Sequence, residues 1–285
     1  MKWLEALTDI QRNVLIASII ADGEITKCYP GTRRKNNSYR EHYGKTQEPY
    51  RYWKQSLLPE IFYITPKSQT LRSASLPMFT KLYPYFYDAT GSKKIPTELL
   101  TYCTHPLFLA VLYLDDGSLS ISKRINHNKK LIYLTPHIFL YLQNYPKEQL
   151  EQLQQHFTQR FHLDFSINKR KDGHGFILRF TSVEKTFHFL NLIKPYVKSC
   201  NGMEYKLDWM WRLQQETELL SKIYPHYEVR TSSHERFRNY SDDEIAKIIS
   251  LVHEKKTQQS IANALGRSYW SVVYKIKELR KNNLL

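Results

Sequence analysis

Leu15-Ile16-Ala17-Ser18-Ile19-Ile20-Ala21-Asp22-Gly23 and Leu109-Ala110-Val111-Leu112-Tyr113-Leu114-Asp115-Asp116-Gly117 are two apolar runs that each stop at Asp-Gly. Both read as helices, and an acid at the end of an otherwise apolar helix is costly to bury without a partner. Two such acids in matching places predict that Asp22 and Asp116 meet and that a cation holds them together. Ala17 and Ala21 share one face of the first helix, and Ala110 occupies part of the corresponding surface of the second. Small side chains there let two helices run side by side. Gly23 and Gly117 are expected to end each helix in the left-handed conformation and release the chain into a strand. A helix C-terminus carries partial negative charge, so two carboxylates there repel both it and one another. A divalent cation reverses that field, and an all-oxygen donor set suits Mg²⁺. A single Asp-Gly is an ordinary helix stop; a matched pair at the heads of two repeats is not.

The same order of elements follows each run. After Gly23 come strands over Glu24–Tyr29 and Ser38–Tyr43, separated by a basic, turn-rich stretch. A helix over Pro49–Leu58, strands over Ile61–Thr65 and Thr70–Ala74, and a helix over Leu76–Tyr87 complete the first set. After Gly117 come strands over Ser118–Lys123 and Leu131–Thr135, then the amphipathic helix Lys147–Phe161. Strands over Phe165–Arg170 and Phe176–Thr181 flank the turn Lys171-Asp172-Gly173-His174-Gly175, and a helix spans Val183–Val197. The repeated order αββαββα predicts an α+β fold of two pseudo-symmetric lobes, residues 1–100 and 101–221. A closing helix over Leu207–Ser221 ends the second lobe. A polar, irregular linker is expected at 222–239, followed by an all-α unit at 240–285. There Ser241 and Glu244 form a capping box, Gly266 supplies a turn and Ser268 caps the last helix. Those three short helices read as a helix-turn-helix.

Lys+Arg number 42 against 27 Asp+Glu, a net charge of +15, with a pI near 9.5. Such an excess is expected of a protein that neutralises phosphates, so a nucleic acid is the expected partner. Hydrophobic residues make up 41%, enough for a core, while a mean hydropathy of −0.55 and the lack of a run near the ~20 residues of a bilayer span exclude a membrane protein. Glu5, Asp9 and Arg12 interrupt the N-terminal apolar residues, so no targeting segment is seen. Cys28, Cys103 and Cys200 form neither a disulfide framework nor a zinc signature, which predicts an intracellular, reducing setting.

The two runs resemble the paired LAGLIDADG motifs of homing endonucleases, in the single-chain, two-motif branch. Lys93-Lys94-Ile95-Pro96 resembles the family's Lys-x-Ile-Pro segment, and Leu192-Ile193-Lys194-Pro195-Tyr196 with Met203-Glu204-Tyr205-Lys206-Leu207 resembles its C-terminal signature. The first run departs from the motif at Ser18 and Ile20, the second at Val111 and Asp115. The resemblance implies a monomeric, site-specific endonuclease of intron homing that acts on double-stranded DNA, cutting a long asymmetric site to leave 3′ overhangs. It implies that Asp22 and Asp116 hold the metal, with backbone carbonyls near Ala21, Gly23 and Asp115 beside them. Mn²⁺ is the expected substitute, and Ca²⁺ is expected to bind without supporting cleavage. Lys93 and Lys206 are the implied active-site lysines, with Lys94 a competitor for the first. A non-cleaving regulator and an RNA-splicing maturase share the scaffold and are the alternatives. An intein is disfavoured, since no nucleophile stands at position 1 and no His-Asn pair ends the chain.

Strand alternation assigns one sheet face to the major groove. The candidate contacts are Arg33, Arg34, Lys35 and Arg40 in the first lobe. In the second they are Arg124, Asn126, Lys129, Lys169, Arg170, Lys171 and Arg179. In the C-terminal unit they are Arg267, Tyr269 and Lys275.

Overall fold

The computed structural model describes residues 2–180, 182–231, 240–267 and 269–285. They divide into two compact units, Met1–Ser233 and His234–Leu285.

Two helices form the centre of the larger unit. After a short α1 (Lys2–Glu5), helix α2 (Asp9–Ile20) opens with a capping box in which Thr8 Oγ1 accepts from the Gln11 N–H and Gln11 Oε1 accepts from the Thr8 N–H. Every residue from Asn13 to Ile20 is buried. Its partner α6 (Pro106–Asp116) is buried from Leu107 to Asp115. Helices apolar on all sides belong inside a core, and these two pack against each other with Ala17 and Ala110 fully buried. Buried Asn13 ties their starts together. Its Nδ2 donates to the carbonyls of Asp9 (2.8 Å) and Tyr102 (3.0 Å), and its Oδ1 accepts from the His105 N–H (3.0 Å).

Around this pair the αββαββα order occurs twice. In lobe 1, α2 leads to β1 (Glu24–Thr26), β2 (Ser38–His42), α3 (Glu48–Leu57), β3 (Phe62–Thr65), β4 (Thr70–Ser73) and α4 (Pro77–Phe86). A short α5 (Thr97–Leu100) precedes lobe 2, in which α6 leads to β5 (Gly117–Asn126), β6 (Leu131–Leu140), α7 (Lys147–Phe161), β7 (Ser166–Lys169), β8 (Phe176–Arg179) and α8 (Val183–Ile193). Neighbouring strands run antiparallel in the orders β1-β2-β4-β3 and β5-β6-β8-β7, and one continuous apolar core spans both lobes. Short α9 (Glu204–Leu207) and long α10 (Trp209–Ile223) follow.

Three expectations need correction. Strand β6 runs on to Leu140, through Pro136, where a strand stop was read. On that edge of β6, residues 131–134 pair with a later strand, β9 (Glu228–Thr231), and residues 139–140 pair with β8, so Pro136 lies between the two and its missing N–H breaks no ladder bond. The expected linker at 222–239 is not irregular in its described part: α10 reaches Ile223, and β9 pairs parallel with β6. Residues 232–239 lie outside the described residues. Gly23 and Gly117 are not left-handed; Gly117 has φ −95° and ψ 163°, and Gly23 has no positive φ. Their missing side chains serve close approach instead. A Cβ at Gly23 would stand 2.2 Å from the Tyr39 hydroxyl, and one at Gly117 would stand 2.1 Å from the Tyr113 ring and 2.3 Å from its carbonyl oxygen.

The smaller unit contains α11 (Asp242–His253), α12 (Gln258–Leu265) and α13 (Tyr269–Lys281) around Ile248, Ile261, Ala262, Val272, Ile276 and Leu279. The Ser241/Glu244 capping box forms, and Gly266 at φ +61° ends α12. The cap expected at Ser268 lies outside the described residues.

Candidate catalytic centre and nucleic-acid interface

Helices α2 and α6 end side by side, so Asp22 and Asp116 line one cleft of about 360 Å³ together with Ile20, Ala21, Lys93 and Tyr145. Two lysines approach the helix ends in mirrored fashion. Lys93 Nζ donates to the carbonyl of Ala21, the residue before Asp22, at 2.7 Å. Lys206 Nζ donates to the carbonyls of Leu114 (2.6 Å) and Asp115, the residue before Asp116 (3.1 Å). Of the neighbours Lys93 and Lys94, Lys93 enters the site. A tight turn sets this, with the Asp88 carboxylate accepting from the N–H groups of Thr90 and Ser92, and Lys94 bound through its own N–H to Phe86. Lys206 sits on α9, whose carbonyl at Lys206 accepts from the Tyr113 hydroxyl at 2.6 Å. The Ala21 and Asp115 carbonyls expected beside a metal thus each accept a lysine already, leaving one lone pair apiece. Gly23 donates its N–H to Ser18.

The electrostatics are those of acids short of compensation. Burial, with Asp22 and Asp115 adding like charge, pushes the Asp116 carboxyl up to about 8. Burial likewise lowers Lys93 and Lys206, against the pull of the surrounding carboxylates.

A second cluster was not legible in the sequence. Carboxylate oxygens of Asp22, Glu41 and Asp115 lie within 4.8 Å of one another. Two cations already sit among them. Arg51 reaches Asp22 at 2.9 Å, Glu41 at 2.8 Å and Asp115 at 3.3 Å, and Lys54 reaches Glu41 at 2.9 Å and Asp115 at 2.8 Å. The side chains of Lys54, Glu41 and Asp115 are fully buried. Burial pushes the Glu41 carboxyl up against the pull of Lys54, and the Tyr39 hydroxyl donates to it. Burial works against the Arg51 guanidinium, but Glu41 and Asp115 outweigh it and raise its pKa. Glu41 and Asp115, matched by Arg51 and Lys54, form a buried lobe-to-lobe ion-pair network rather than a place for a further cation, while the partly exposed Asp22 stands at its edge and faces the cleft it shares with Asp116. Arg51 and Lys54 lie one helical turn apart on α3, and Glu41 points inward from β2. The signal was a Glu at a core-parity strand position, two residues from Tyr39.

The outward face of the lobe 1 sheet carries Glu24, Thr26, Ser38, Arg40 and His42, with Arg72 and Tyr63 in register beside Arg40. Arg72 and Tyr63 lie on expected strands but were not among the expected contacts, because only the pairing register brings them beside Arg40. Arg40 pairs with Glu24; Arg33 and Lys35 are exposed, while Arg34 donates to Ser38 at 2.8 Å. In lobe 2, Arg124 and Arg179 share the outward face with Ser118, Ser120, Ser122, Tyr133 and His137. Lys129 and Lys171 are exposed in turns, and Arg170 pairs with Asp172. Lys169 does not share this face: alternation gives it the parity of core-packed Ile167. Asn126 is turned to local use, its Oδ1 accepting from the Lys129 N–H. In the smaller unit two expected contacts are internal. Arg267 pairs with Glu244 at 2.8 Å and stacks 4.2 Å from the Tyr240 ring centre, and Lys275 pairs with Glu278 at 2.8 Å. Tyr269 remains partly exposed, its hydroxyl donating to Gln258.

Comparison with known proteins bears on this site. A family model described as the LAGLIDADG DNA endonuclease family matches residues 12–187. The protein RecA of Mycobacterium shimoidei is 27% identical over 206 residues, covering 70% of this chain and 47% of its own, and the protein RecA of Mycobacterium leprae is 28% identical over 208 residues, covering 70% and 28%. The chain thus spans about half or less of these relatives. Among solved structures, the homing endonuclease I-WcaI bound to its DNA recognition sequence aligns with a TM-score of 0.53 at 24% identity, covering 70% of this chain and 87% of that one. That likeness shows the two-lobed fold.

Proposed function

Since the chain belongs to the LAGLIDADG DNA endonuclease family, we propose that it is a site-specific double-strand DNA endonuclease whose centre is Asp22 and Asp116. One observation carries this reading. The two acids share a cleft at the ends of paired helices, and each motif's backbone is held by its own lysine.

The residues fit a divalent cation. Asp116 is buried beside other acids with its carboxyl pushed up to about 8, which leaves the pair short of positive charge. Asp22 and Asp116 would hold Mg²⁺, with Mn²⁺ as substitute, through oxygen alone. When bound, such an ion supplies an activated water and stabilises the leaving 3′ oxygen. The chain's own part is to place and neutralise. Arg51 fixes the Asp22 carboxylate at 2.9 Å. Lys93 and Lys206 fix the ends of the motif helices, and their ammonium groups offset charge that develops on the scissile phosphates. The two sheets, with Arg40, Arg72, Arg124 and Arg179 outward, suit a duplex lying along both lobes. The lobes differ in sequence, which supports a long asymmetric target cut by a monomer. The 3′ overhangs and a role in intron homing rest on the family. The helix-turn-helix reading of residues 240–285 places Tyr269 and exposed Lys277 toward DNA, with Arg267 and Lys275 as internal braces.

The test is a supercoiled plasmid carrying the locus around the gene, incubated with the full chain. Linear product in Mg²⁺ and binding without cutting in Ca²⁺ are expected, with Asp22→Asn and Asp116→Asn each abolishing cleavage. Tight binding that never leads to cutting in Mg²⁺ or Mn²⁺ would overturn the nuclease reading in favour of a regulator. Cutting by both variants at the wild-type rate would overturn the site.

A further inference from the structure

Strands β5 and β6 have ten residues each, while their counterparts β1 and β2 have three and five. The outer part of this hairpin runs beyond what β8 covers, because β8 pairs only with Phe139 and Leu140. A long two-stranded ribbon is marginal alone. Here the segment from Trp209 to Thr231 braces it, and this segment lies outside the stretch matched by the family model. Leu213 and Leu220 of α10 pack with Ile121, Ile132 and Leu134 in a small core of their own. Lys123 pairs with Glu216 at 2.6 Å, and at the tip His127 Nδ1 lies 3.0 Å from the Tyr227 hydroxyl. The chain then returns as β9, filling the vacant edge of β6.

The register gives β9 a second consequence. Val229 pairs with buried Ile132 and joins the small core, so Glu228 and Arg230 take the opposite, outward parity. Arg124, Tyr133 and Arg230 then form one row across three strands, on the face that also carries Ser120, Ser122 and His137. Arg230 is exposed and pairs with Glu228 on its own strand, at 2.7 Å.

We propose that β9 is an added DNA-recognition strand, which extends the groove-facing sheet of lobe 2 and puts Arg230 against the outer end of that half of a bound duplex. This rests on the endonuclease reading above. A row of Arg-Tyr-Arg on a rigid ribbon fits an anionic, planar-stacked partner, so the duplex contact is longer on the lobe 2 side than on the lobe 1 side.

The test uses the full-length protein in Ca²⁺ and a duplex that wild type selects from a randomised pool. Arg230→Ala and Glu228→Gln break the same ion pair, so a merely structural strand makes them behave alike. A strand lying against DNA makes them diverge. Arg230→Ala is expected to weaken binding about tenfold, to lower the salt slope by about 0.9, and to lose footprint protection at the outer end of one half-site only. Glu228→Gln, which removes an acid from the same face, is expected to tighten binding about threefold. If the two variants shift affinity the same way, or neither shifts it, the proposal is overturned while the endonuclease reading stands. If wild type selects no duplex, the endonuclease reading itself has failed.

Discussion

Replacing Asp116 by Asn removes a carboxyl that the fold holds under electrostatic tension. The ordinary carboxyl value is 3.8, and burial with Asp22 and Asp115 moves Asp116 to about 8. Between those two values the folded protein keeps a proton that the unfolded chain releases. Metal-free stability therefore falls as pH rises from about 4 to about 8 and levels off above. Summed over that window, the ionised form costs on the order of 5 kcal/mol. Asn at the same place escapes this cost. The Asp116→Asn protein in EDTA is expected to outlast wild type at about pH 9 by a Tm increase of 5 °C or more, since about 1 kcal/mol moves a unit of this size by roughly 2–4 °C. At about pH 5 the advantage shrinks to under about 2 kcal/mol, because wild type is then protonated there. Excess Mg²⁺ should close the gap at high pH, by stabilising only the protein that binds it. Calorimetry of the larger unit at the two pH values, with and without Mg²⁺, reads all of this. An equal gap at both pH values, or a wild type more stable than the variant at about pH 9 without metal, would refute the reasoning.

Other consequences follow from the same geometry. Lys54→Met leaves the buried Glu41 and Asp115 to share Arg51, and is expected to cost about 3–5 kcal/mol in urea unfolding; a loss under about 1 kcal/mol would show the network to be energetically idle. Gly117→Ala puts a Cβ 2.3 Å from the Tyr113 carbonyl oxygen and should yield little folded protein, whereas Gly31→Ala, at φ +81° in open space, should cost only about 1 kcal/mol. Circular dichroism melts of both compare backbone crowding with backbone strain directly. Lys93→Met and Lys206→Met should each lower the single-turnover cleavage rate about 100-fold or more while Ca²⁺-supported binding stays within about threefold; a matching loss of binding would recast the lysines as duplex contacts.

The lobes, their order of elements and the meeting of Asp22 with Asp116 were legible because each rests on local periodicity repeated in the chain. What escaped rests on contacts remote in sequence. Arg51 and Lys54 look like ordinary helix charges until Asp115 arrives from α6, and Glu41 looks solvated until β2 is seen to turn it inward. Pro136 reads as a strand stop because sequence does not reveal that its edge of β6 is unpaired. Strand β9 is four residues whose pairing is parallel and distant, so no hairpin signal marks it. The expected left-handed ends at Gly23 and Gly117 do not form, and the crowding by Tyr39 and Tyr113 that excludes a side chain there has no sequence signature. Arg267 and Lys275 illustrate the limit of charge counting, because the first is spent on Glu244 of α11 and the second on Glu278 of its own helix.

The ion-pair network on Asp115 bears on how this scaffold can be recombined. Its acid is donated by one lobe and its cations by the other, and the corresponding place in the first motif is Ala21. A chimaera that keeps lobe 1 but takes a second lobe without an acid at this position would bury the Lys54 ammonium beside Glu41 alone. The reverse graft would bury a carboxylate opposite a foreign α3. Half-sites cannot be shuffled at the inter-lobe boundary by matching sheets alone. Glu41, Arg51, Lys54 and Asp115 must travel as a set, and a library that fixes those four while varying the outward strand residues should retain folded members far more often than one that lets them drift.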